Sequence, residues 1–234
     1  MTTTRTGPEF RDAWRAVLAY ALLAGVLLVV VGVPLVTAWQ GAPIHTESLG
    51  TLDLFAAHAL LAVFLGIWFA LQQRDGPRTF LALPRGEWPR RLGAGIRLGL
   101  AGWLLTLGTM ATLALLTGSE ERAPAPEFVE FVTWLVAQPL GLRVLLVVSA
   151  MTIEEAFFRA FLQPRAGIAV ATGCFALGHV GYGSPMMGLG VLVIGLVLAL
   201  AFRRRGDVAV CVVAHGVFDA VQLLVVLPLV AARL

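Results

Sequence analysis

The chain has no lysine: all 17 of its basic residues are arginine, set against 14 acidic ones in 234 residues. Charge of either sign is scarce, at 13% of residues, which excludes an ordinary soluble domain with a solvated charged surface. The arginines fall between apolar runs instead of forming one basic face, so the net charge of +3 does not point to nucleic acid. Only two cysteines occur, Cys174 and Cys211, both inside apolar segments. They are too few for a disulfide framework, and neither a CxxC nor an HExxH metal signature is present. Internal repeats and low-complexity segments are also missing. No small-residue cleavage site follows the first apolar run, which extends from near Ala16 to about Ala38. That run is too long for a signal-peptide core and reads as a retained span.

What is abundant is apolar length. Hydrophobic residues make up 59% of the chain, mean hydropathy is +0.86, and runs of roughly 20 apolar residues, enough to cross a bilayer, recur along it. The expected fold is all-α, a polytopic transmembrane helical bundle of about seven spans. A polar tail covers 1–13, and three accessory transmembrane helices lie within 14–117, at about 14–39, 54–72 and 92–117. Residues 118–139 form an acidic, proline-bearing loop followed by an apolar stripe at 128, 131, 132, 135 and 136. That stripe fits either an interfacial helix or an extension of the next span. The core, 140–234, holds spans at about 140–164, 166–182, 186–202 and 207–232, with Pro228 expected to kink the last. Glycines 167, 173, 178, 181, 183, 188, 190 and 195 are expected to permit close helix packing.

With seven spans, Arg5, Arg11, Arg15, the arginines between 74 and 91, Arg165 and Arg203 to Arg205 fall on one side. Arg122, Arg143 and Arg233 fall on the other. Positive residues stay inside, so the N-terminus is expected in the cytoplasm and the C-terminus outside. The arginine-only, alanine- and leucine-rich usage suggests a GC-rich bacterium, hence an integral protein of a bacterial inner membrane.

The rest is organised around residues 149–165, SAMTIEEAFFRAFLQPR, which set Glu154, Glu155 and Arg159 inside one apolar helix. A charge near the bilayer centre costs several kcal/mol, so such residues pair or serve a function. Glu155 and Arg159 are four apart, in the order that favours an ion pair. Glu154 is rotated about 100° from Glu155 on an α-helix and is left to project into a cavity. At 1.5 Å per residue, Glu154 lies roughly 15 Å into its span, His179 roughly 20 Å, His215 roughly 12 Å and Asp219 roughly 18 Å. Four polar residues from three helices thus meet near the midplane, which points to one shared site. His45 and His58 have no such company and are read as structural; Phe157 and Phe158 are read as packing residues.

A free glutamate and two histidines suit hydrolysis of a peptide bond, the carboxylate taking a proton from water while an imidazole donates to the oxyanion. Glu154, His179 and His215 could instead hold Zn²⁺ with an open water position. Cys211 precedes His215 by four, so a Cys–His nucleophile is a further reading, set against cysteine as apolar filler. A different class, a proton-coupled transporter, uses the same buried carboxylates and histidines to move charge.

Three motifs stand in order: Glu154-Glu155-Ala156-Phe157-Phe158-Arg159 as EExxxR, Phe175 to His179 as FxxxH, and His215 to Asp219 as HxxxD. Together they resemble the CPBP family of intramembrane endopeptidases, which includes the type 2 CAAX prenyl proteases and bacterial Abi-domain proteins. The resemblance spans about 140–222. It implies a membrane-associated protein or peptide substrate and a site without metal. In that site Glu154 activates water with His179, while His215 and residue 219 stabilise the oxyanion. Glu155 and Arg159 are the supporting pair, with Phe175 beside His179. Asp219 stands where asparagine would donate better, because an ionised aspartate only accepts hydrogen bonds. A non-catalytic, peptide-binding immunity protein is the alternative within the same resemblance.

Overall fold

In hydrocarbon every backbone N–H and C=O must be satisfied within the protein, so long apolar runs become helices. The computed structural model describes residues 8–40, 50–118, 126–182 and 185–233, and these are almost wholly helical, with one isolated bridge between Phe10 and Gln72. The main elements are α1 (Ala13–Trp39), α2 (Asp53–Leu71), α3 (Trp88–Thr117), α4 (Pro126–Ala137), α5 (Leu140–Leu177), α6 (Pro185–Arg205) and α7 (Ala209–Ala231). Among the described residues, five helices are long and apolar enough to cross a membrane, or six if the bent pair of α4 and α5 counts as one span. The expected count of about seven differs because the run Leu140–Leu177, although divided near the expected boundary between 140–164 and 166–182, has a short second part. Gly167, at φ 86°, ψ 170°, breaks that run, a conformation that only glycine adopts without strain. The stretch beyond the break is shorter than the roughly 20 residues that a span needs.

Proline sets the winding. Among the described residues, three segments bond i→i+5 instead of i→i+4: Leu28–Gly32, Ala150–Leu162 and Gln222–Val226. Each is followed at once by a helical turn that carries proline in its first two positions, Pro34, Pro164 and Pro228. A proline ring lacks the N–H and clashes with the carbonyl four residues back. Widening the preceding turn relieves that clash, and Pro228 does this at the end of α7. Wide turns of this kind occur mostly as short insertions and often at functional sites. The 13-residue stretch Ala150–Leu162 is long for its class, and it carries Glu154, Glu155 and Arg159.

Packing places this wide segment at the centre. It contacts α2, α7, the Gln163–Leu177 part of α5, and α6. Phe157, Phe158 and Phe161 are buried on it and meet Phe64, Trp68, Phe80 and Phe175 edge-on or tilted, so the packing role expected of Phe157 and Phe158 holds. On the other side α3 lies tightly against α7, because a Cβ on Gly99 would sit 2.5 Å from the Ala214 carbonyl oxygen. The glycines singled out from sequence behave less uniformly. Gly195 does admit the Phe175 ring, but nothing lies within 4 Å of a Cβ at Gly167, Gly173 or Gly188, and Gly183 lies outside the described residues.

One end of the bundle gathers charge. Glu9 accepts from Trp68 Nε1 at 3.1 Å and from Arg165, with Arg74 at 3.6 Å. Arg91 pairs with Asp207, and the Val208 amide donates to the Ala82 carbonyl at 3.1 Å. The N-terminal arm, the 72–91 connection, Arg165 and the 205–208 turn therefore share this end, as the arginine pattern expects. Arg5, Arg122 and His45 lie outside the described residues.

Candidate active site

Each polar side chain of the site is delivered by an element packed against the wide segment of α5. Glu155 and Arg159 are fully buried there, with Arg159 Nε 3.2 Å from Glu155 Oε2. The contact is a charge pair without hydrogen-bond alignment, and the guanidinium also lies 4.8 Å from the centre of the Phe175 ring. Cation–π contacts of this kind gain weight where water is excluded.

His215, on α7, faces three carboxylates. Its Nδ1 is 3.0 Å from Glu155 Oε1, and its Nε2 is 3.3 Å from Asp219 Oδ2 and 3.9 Å from Glu154 Oε2. A hydrogen on either nitrogen therefore has an acceptor. Glu155 thus does two things, pairing with Arg159 and fixing the plane of the His215 ring. Carboxylate support of a working imidazole is a common way to fix its tautomer.

His179 donates from Nδ1 to the Phe175 carbonyl at 2.7 Å, which leaves Nε2 as the acceptor end. Its ring lies 4.9 Å from that of Phe175, which in turn stands 5.9 Å from His215. Phe175 is thereby a wall between the two histidines. Glu154 interacts electrostatically with both of them, and with His58.

His58, expected to be structural, joins this group. It stands on α2, 96 positions before Glu154, and its Nε2 lies 3.0 Å from Glu154 Oε1. Glu154 is accordingly held at one oxygen and is not the wholly free carboxylate expected; Oε2 is buried without a hydrogen-bond partner. The available signal was a histidine inside an apolar helix. Its own helix offers it no ionisable neighbour, and the pairing arises only because α2 packs on α5.

Cys211 is buried with Sγ directed at the Leu198 carbonyl, 3.4 Å away, not at His215. Helical spacing put the two on one face, but α6 occupies the thiol. Glu154, His179 and His215 are the candidate zinc ligands. Among the described residues no group of three His, Cys, Asp or Glu side chains is arranged to hold a metal ion. The set does not fit zinc as it stands: Glu154 Oε1 is taken by His58, and Oε2 is 3.9 Å from the nearest His215 nitrogen.

Residues 136–221 match the family model described as Rce1-like, type II CAAX prenyl endopeptidase. The match covers all three motifs and is in keeping with the family they resemble. No curated protein and no solved structure matches the chain.

Proposed function

We propose that the protein is an intramembrane endopeptidase that cleaves a membrane-associated protein or peptide, a reading supported by the match of residues 136–221 to the Rce1-like endopeptidase model. The observation that carries the mechanism is the pair of histidine nitrogens and carboxylate oxygens around one buried, unpaired oxygen, Glu154 Oε2. Glu154 takes a proton from water, assisted by His179 Nε2, and the oxygen left behind bonds to the scissile carbonyl carbon. The oxyanion formed is met by the Nε2–H of His215 in its doubly protonated form, whose Nδ1–H is donated to Glu155. Collapse breaks the C–N bond, and the proton held by Glu154 passes to the departing amine. Asp219, 3.3 Å from His215 Nε2, orients that ring. No step uses a metal.

The matched family model names CAAX prenyl substrates, so the test compares quenched CAAX peptides with and without a prenyl group, alongside a library of quenched transmembrane peptides. Purified protein should cleave at least one class, and Glu154→Gln should lower kcat about 10²-fold or more while melting normally. Chelation with phenanthroline followed by dialysis should leave turnover unchanged. Cleavage by Glu154→Gln at the wild-type rate, or no cleavage of any class, would overturn the reading. Activity lost on chelation and restored by Zn²⁺ would replace the water mechanism with a metal one. A proton-coupled transporter, the other class, would instead show proton-driven flux in proteoliposomes.

A further inference from the structure

The hydrolysis above leaves His58 without a task, and His58 lies outside the segment matched to the family. Its ring is buried between two helices, with Nε2 3.0 Å from Glu154 Oε1 and Nδ1 3.1 Å from Ser149 Oγ. The hydrogens can be counted. Ser149 has one, and it faces two acceptors, His58 Nδ1 and the Leu146 carbonyl at 2.9 Å. That carbonyl already accepts from the Ala150 amide. A carbonyl can accept twice, so the carboxylate decides. An ionised Glu154 only accepts, so His58 donates Nε2–H to it, and the neutral ring then accepts at Nδ1 from the Ser149 hydroxyl.

A chain Ser149→His58→Glu154 results, running from one turn of α5 through α2 and back to the next. It has a consequence at the carboxylate. Oε1 is fixed, so Oε2 is the oxygen turned toward His215, at 3.9 Å and with no hydrogen bond of its own. A distance of that size is too long for direct bonding and leaves the oxygen for water.

We propose that His58 is a positioning residue for Glu154: it clamps one carboxylate oxygen, with Ser149 setting its tautomer, so that the other is presented to the attacking water. The proposal rests on the endopeptidase reading. It also gives α2, counted from sequence as an accessory helix, a place in the reaction.

The experiment uses the full chain in detergent and whichever quenched peptide the wild type cleaves. His58→Ala should lower kcat about 10- to 100-fold through loss of carboxylate alignment, with KM changed by no more than about twofold. His58→Gln, whose amide N–H reaches a similar height, should recover most of that loss, and Ser149→Ala should fall between. A His58→Ala enzyme with wild-type kcat would overturn the proposal, as would a loss that follows melting temperature and is not rescued by His58→Gln. A second measurement does not depend on turnover. In protein carrying ¹⁵N-labelled histidine, Glu154→Gln should shift the His58 Nε2 resonance, assigned by its disappearance in His58→Gln. An unmoved resonance would overturn the pairing even if no peptide is cleaved. An active Glu154→Gln enzyme would instead remove the endopeptidase reading while the resonance still reports on the clamp.

Discussion

At the scale of residues, the two adjacent glutamates are separated by what they touch. Glu155 is fully buried between Arg159 and His215, so its loss leaves a buried cation unpaired. Breaking a buried pair from one side typically costs about 3–5 kcal/mol. Glu155→Gln should therefore lower folded yield and melting temperature in detergent, whereas Glu154→Gln should melt like wild type and lose turnover. Two variants with equal melting temperatures would contradict the division. Asp219 gives a second prediction at this scale. Beside His215 Nε2 an ionised carboxylate can only accept, whereas an amide can also donate to an oxyanion. Asp219→Asn is expected to retain or raise kcat in the peptide assay, and a loss of more than about tenfold would show that orienting His215 matters more.

At the scale of elements, close approach of helices decides the position of His215. Gly99 on α3 faces the Ala214 carbonyl, one residue before His215, and an added Cβ would lie 2.5 Å from it. Backbone cannot yield as a flexible side chain can. Gly99→Ala should push α3 from α7, at about 1–3 kcal/mol of overpacking, and lower both melting temperature and kcat. By contrast Gly173→Ala, with open space around the new methyl, should leave both unchanged. If the two alanines behave alike, helix approach is not what locates His215.

At the scale of the whole molecule, the arginine-rich end is fastened by Glu9, and we propose that this end faces the cytoplasm. Burial raises the Glu9 carboxyl, but its bond to and charge interaction with Arg165, the Trp68 bond and Arg74 outweigh that and hold it below its ordinary 4.5. A lowered carboxyl contributes stability that is complete above its ordinary value and is lost as pH falls through the lowered native one. Wild type should therefore melt a few degrees above Glu9→Gln near pH 7, with the difference shrinking once the pH drops below 4.5. A difference that is constant across that range would remove Glu9 from the fastening. Labelling of single cysteines placed near residue 80, from inside and outside sealed vesicles, checks the orientation.

The sequence by itself determined the apolar spans, the helices and the gathering of Glu154, Glu155, Arg159, His179, His215 and Asp219 near one another. The reason is local: apolar run length follows from bilayer thickness, and ionisable residues inside such runs are too costly to be incidental. The tertiary structure decided the rest. Helical count could not foresee that prolines would unwind α5 into wide turns, nor that the helix beyond the Gly167 break would be too short to span. His58 had no local signal that distinguished it from a packing histidine, because its partner is 96 residues away and only the seating of α2 on α5 brings them together. Cys211 shows the converse: spacing aligned it with His215, and α6 turned its thiol to another acceptor. Periodicity along one helix fixes which residues share a face, but which face meets which neighbour is set by packing between helices, and that is a property of the folded molecule alone.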